Sequence, residues 1–120
     1  MATQDFVIWL FCLVDDRLGP RTKHPQARLH PSELVTIGLL FVLKGCSFRS
    51  FYRWLARDHA GLFGGLPERT RLLRALRVQQ RETERFLADP TFFTVIDTYG
   101  IELLHPWRAG RSQHQVGKKG

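Results

Sequence analysis

Only one stretch of this chain reads as β-strand, and it makes the fold class α+β. Thr91 to Leu104 holds a β-branched and aromatic run, Phe92 to Ile96, with Asp89-Pro90 as a breaker before it. Strand alternation would set Phe93, Val95 and Asp97 on one face and Thr94, Ile96 and Thr98 on the other. Gly100 allows a tight reversal, so Ile101 to His105 is expected to return as the second strand of a hairpin. An ionised Asp97 inside such a run is costly unless it is paired, hydrogen-bonded or bound to metal.

The residues before it read as four helices. Thr3 is a candidate N-cap for a first helix reaching about Arg17, closed by Gly19-Pro20. Phe6 to Val14 is nine apolar residues in a row, far short of a membrane span, and reads as a buried helix. Asp5 stands where a signal peptide would be basic, so a cytoplasmic, nucleoid-associated protein without a membrane partner is expected. Pro31 and Glu33 suit the start of a second helix that Gly45 stops. That helix is apolar nearly all round and should be central. Ser47 caps a third helix to about Asp58, with Phe48, Phe51, Tyr52 and Leu55 on its inner side. Gly61 to Pro67 is a connector, and Pro67 opens a fourth helix to about Ala88. Its apolar side is Leu72, Leu73, Leu76, Phe86 and Leu87. Residues 1–89 then form a helical domain, and 90–120 the hairpin and a basic tail.

Charge follows these divisions. Lys and Arg number 18 against 11 Asp and Glu, a net +7, and 14 of the 18 are arginine, the residue suited to bidentate phosphate contact. Residues 47–89 alone carry +4. A polyanion is the expected partner. Arg49, Arg53 and Arg57 recur at i, i+4, i+8 on the third helix, and Arg74, Arg77, Arg81 and Arg85 form a second stripe on the fourth. The second helix, a three-residue break and the third have the outline of a helix-turn-helix. An αα corner with solvated arginines fits the same pattern, and so does a dimerisation bundle. Glu82 and Glu84 leave i,i+4 pairing open for the second stripe.

Other motifs carry less. Gly110 to Lys119 has the wrong glycine spacing for a phosphate loop. Cys12 and Cys46 read as reduced core thiols. His24, His30, His59, His105 and His114 show no metal-ligand spacing and read as turn and surface residues, with His105 near enough to Asp97 to touch a shared substrate. Asp97 alone reads as a structural residue closing a strand or turn ahead of a metal ligand, and Glu102, five residues on across the hairpin, could approach it or equally face solvent.

The run from Phe93 through Asp97 to Pro106, then Arg108 to Gly120, resembles bacterial insertion-sequence transposases of the DDE type. Ser32-Glu33-Leu34 and Phe48 to Leu55 are similar to their N-terminal region. The resemblance implies a helical DNA-binding part followed by the start of an RNase H-like sheet. Asp97 would be the first of three acidic ligands for Mg²⁺ or Mn²⁺. Arg108, Arg111, Lys118 and Lys119 would contact phosphate nearby, an inference from their charge. The family pattern needs a second Asp and a Glu beyond Gly120, so this stretch alone is expected to be inactive and to bind no metal tightly. The expected partners are element-end DNA and the remaining catalytic region, which either continues the same protein or is supplied from a second reading frame through an A-rich run at Gly117 to Gly120. The complete transposase is expected to be a homo-oligomer. The rival reading is a non-enzymatic helix-turn-helix regulator derived from a truncated transposase.

Overall fold

The computed structural model describes residues 3–20 and 28–90, together with Phe92 and Thr94. They form five α-helices and one 3₁₀ turn: α1 (Thr3–Leu18), α2 (Pro31–Lys44), α3 (Phe48–Asp58), the turn (Ala60–Leu62), α4 (Arg69–Val78) and α5 (Gln80–Ala88).

The hub is α2. Its start is fixed locally by a reciprocal cap. His30 Nδ1 accepts from the Ser32 N–H at 3.2 Å, and Glu33 Oε1 accepts from the His30 N–H at 2.9 Å. Pro31 occupies the first turn, where a missing N–H costs nothing. Its end is equally local: Gly45 turns left-handed at φ 66° and its N–H reaches the Phe41 carbonyl. Between these caps nine of fourteen residues are buried: Ser32, Leu34, Val35, Thr36, Ile37, Gly38, Leu39, Leu40 and Leu43. The helix packs against α1, α3, α4 and α5. The expectation of a central helix, apolar nearly all round, holds.

Helix α1 buries one face only. Phe6, Val7, Leu10 and Val14 face α2, while Ile8 is 45% exposed and Cys12 is exposed. The nine-residue apolar run is therefore half a core element, and Cys12 is not a core thiol. The reason is geometric: among the described residues α1 packs chiefly on α2, along one face. Both cysteines are free. Ser32 Oγ donates to Asp15 Oδ1 at 2.7 Å and ties the two helices at one end. Gly19, at φ 70°, ends α1 as the Gly-Pro pair predicted. No single helix among the described residues is long and apolar enough to cross a membrane.

Two expectations fail. The long fourth helix is two helices, broken at Gln79 (φ −95°, ψ 9°), whose N–H is shared between the Ala75 and Leu76 carbonyls. With Gln79 and Gln80 where the apolar stripe would continue, the break lets both halves pack on α2. Leu72 and Leu76 are buried from α4, and Thr83 and Phe86 from α5.

The strand expectation fails as well. No β-strand occurs among the described residues, which makes them all-helical rather than α+β, and five helices replace the expected four-helix bundle. Pro90, Phe92 and Thr94 are helical. Asp89 Oδ1 accepts from the Phe92 N–H at 3.2 Å, and Thr94 Oγ1 donates to the Pro90 carbonyl at 2.7 Å. Asp89-Pro90 is thus an N-cap followed by proline at the first helical position, a start signal as much as a breaker. Phe92 then packs on Phe86, with ring centroids 4.9 Å apart, and under the Arg17 guanidinium. That tertiary packing outweighs the weak strand preference of an aromatic residue. The expected return strand, Ile101 to His105, lies outside the described residues.

The α2–α5 contact depends on a missing side chain. A Cβ on Gly38 would stand 2.9 Å from Thr83 Oγ1. Thr83 is β-branched and stiff, so it cannot easily swing away. Gly38→Ala should therefore destabilise the fold by about 1 kcal/mol, overpacking exceeding the helix-propensity gain. In a Thr83→Ala background the same change should become stabilising. Chemical denaturation of the four proteins in this cycle checks it, and additive effects would contradict the close-contact account.

Candidate nucleic-acid interface

The basic face sits on α3, and α2 holds it in place. The three-residue turn Gly45 to Ser47 bends the two helices by 119°. Aromatic rings lock that angle. Phe41 on α2 meets Phe48 edge-on at 5.3 Å and Phe51 at 5.2 Å. Phe51 and Leu55 are fully buried, and the Tyr52 hydroxyl donates to the Pro67 carbonyl at 2.7 Å. Ser47 caps the helix by accepting from the Ser50 N–H at 3.3 Å.

With the inner face so committed, the opposite face of α3 is fixed. Arg49, Ser50, Arg53, Ala56 and Arg57 are all exposed. At 3.6 residues per turn they fall within an arc of about 120°. No acidic residue lies in the first turn. Arg49 and Arg53 make no hydrogen bond or ion pair among the described residues. Arg57 differs from them. Its Nε and Nη2 bond both carboxylate oxygens of Asp58, at 2.9 and 3.1 Å. That bond raises the Arg57 pKa and holds Asp58 below its ordinary value.

The second stripe is less uniform. Arg74, Arg77, Arg81 and Arg85 are all exposed, but the Gln79 break splits them between α4 and α5. Arg85 lies 3.5 Å from Glu82, the helical pairing left open by the sequence. Arg77 rims an open groove of ≈ 380 Å³ where α2 meets α4 and α5. That groove is mainly apolar, lined by Phe41, Val42, Leu73, Leu76 and Leu87, and gathers no catalytic group.

Asp97, Glu102, Arg108, Arg111, Lys118 and Lys119 lie outside the described residues, as do His24, His105 and His114. Among the described residues no three His, Cys, Asp or Glu side chains come together as a metal site.

Sequence reasoning missed His59. It is buried, not a surface residue. Its ring stands edge-on to Trp54 at 4.6 Å, and Lys44 Nζ lies 4.6 Å from the Trp54 ring on its way from α2. The three close the far end of the α2–α3 corner. His59 follows an Arg-Asp pair that reads as solvent, and only its adjacency to the aromatic face of α3 could have signalled burial. Its Nδ1 has no hydrogen-bond partner.

Burial lowers the His59 pKa, Asp58 opposes this weakly, and Lys44 adds to it. The unfolded chain therefore takes up the proton first, near the ordinary value of 6.5. Stability should be level above that value and fall as the pH drops below it. His59→Phe should reduce the loss of melting temperature between about pH 7.5 and about pH 5.5. An unchanged loss would show that His59 is not the group responsible. Comparison with known protein families, curated proteins and solved structures gives no match.

Proposed function

We propose that this chain is the DNA-binding N-terminal portion of a DDE-type insertion-sequence transposase, gripping element-end DNA through α2, the turn and α3. The observation that carries the DNA-binding reading is the corner itself. Two helices at 119° joined by a three-residue, glycine-started turn match the helix-turn-helix arrangement. The second helix of that pair is the one that bears the basic arc, as a major-groove helix must. Arginine there supplies both charge for phosphates and a planar fork for base edges.

The transposase part of the reading rests on the resemblance in residues 32–34, 48–55 and 93–120. In it Asp97 is the first acidic ligand of a divalent-metal site completed by later parts of the protein. Mg²⁺ or Mn²⁺ would supply phosphodiester activation there, and the α3 arc would hold the element end. Arg74, Arg77, Arg81 and Arg85 would add backbone contacts, with Arg108, Arg111, Lys118 and Lys119 closer to the catalytic region. A non-enzymatic DNA-binding regulator is the second reading. It is favoured by the completeness of the helix pair within residues 31–58, which needs no carboxylate site.

Fluorescence anisotropy with duplex DNA tests the shared part. Affinity should fall steeply with salt, and replacing Arg49, Arg53 and Arg57 together by Ala should flatten the log–log salt slope by about 2–3. An unchanged slope, or no binding at low salt, would contradict the interface. Asp97→Asn in the complete transposase should abolish strand transfer and leave end binding largely intact. Retained strand transfer would remove Asp97 from the metal site and favour the regulator.

A further inference from the structure

We infer that Arg49 and Arg53 are the specificity-determining residues of the α3 face, reading two guanines within a window of three base pairs, while Arg57 contributes only sequence-independent backbone affinity. This rests on the DNA-binding reading above and deepens it. The three arginines share one arc but differ in what their guanidinium groups already hold. The Nε–Nη2 edge of the Arg57 guanidinium is taken by Asp58 at 2.9 and 3.1 Å. Its remaining Nη1–Nη2 edge reaches a base only by carrying the Asp58 carboxylate towards the phosphates. Arg49 and Arg53 carry no such partner among the described residues, so their forks are open.

Position on the helix separates them in the same way. Arg49 and Arg53 lie in the N-terminal half of α3, the part of a recognition helix that meets base edges; Arg57 is next to its last residue. Guanine is the base whose major-groove edge, O6 and N7, accepts both donors of one arginine. Four helical residues advance about 6 Å along the axis, roughly two base-pair steps of about 3.4 Å. The inner face of α3 is held by Phe51, Leu55 and the Tyr52–Pro67 bond, so the relative placement of the two arginines is built into the fold.

The test uses the whole chain and a pool of random duplexes at about 50 mM salt. Selected sequences should contain two guanines with no more than one base pair between them. Replacing either by 7-deazaguanine, which removes the N7 acceptor, should weaken binding by about five- to 150-fold. Arg49→Lys and Arg53→Lys keep the charge and lose the fork. Each should abolish the preference at one guanine while non-specific affinity stays within about twofold. Arg57→Ala should weaken all duplexes alike. All three side chains are exposed, and circular dichroism checks that the variants fold. Binding without sequence preference, or a guanine preference that survives both lysine variants, overturns this assignment and leaves the DNA-binding reading standing. No binding to any duplex at this salt overturns both.

Discussion

Burial of nine of the fourteen residues of α2 is the constraint from which the rest of the architecture follows. Six of its apolar side chains are buried, each contributing about 1.5–3 kcal/mol relative to exposure. A helix buried over so much of its surface needs neighbours on several sides. Helix α1 covers one side, α4 and α5 another, and α3 the end beyond Gly45. At Gly38 the absence of a Cβ admits Thr83. Thr83 in turn bonds the Gln79 carbonyl at the α4–α5 break. One missing side chain and one interrupted helix are therefore parts of the same packing solution.

The basic face of α3 is a consequence of that burial. Because α2 ends in a left-handed glycine and α3 starts three residues later, α3 leaves the core at a steep angle. Its aromatic side fastens to Phe41 and to the Pro67 carbonyl, which leaves its arginines on the outside and fixed in azimuth. A basic stripe on a loosely held helix would offer charge without direction. Here the charge has a defined bearing relative to the core, the condition for reading a groove rather than only approaching it. The Arg57–Asp58 pair then makes the face unequal along its length, tying up its C-terminal end and leaving its N-terminal half open.

Much of this was legible from local pattern. The start and stop of α2, the Ser47 cap, the inner face of α3 and the exposure of Arg49 and Arg53 all depend on residues within one or two turns. The second basic stripe was only half legible. Its arginines are exposed as expected, but Gln79 divides them, and Glu82 takes one. The chemistry assigned to Asp97 was of another kind: it came from resemblance, and its residue lies outside the described part of the chain.

By itself, then, the sequence determined where α2 and α3 begin and end and which face α3 turns inward, because caps, left-handed glycines and 3.6-residue periodicity act over short distances. Tertiary structure decided what depends on partners far along the chain. Phe92 is helical because Asp89 caps its turn and Phe86 and Arg17 receive its ring. Helix α4 stops at Val78 so that α5 can meet Gly38, His59 is buried because Trp54 stands over it, and Cys12 is exposed because, among the described residues, α1 packs chiefly on α2 along its other face. In each case the local preference is worth a fraction of a kcal/mol to about one. Burial of a large side chain against a distant helix outweighs it.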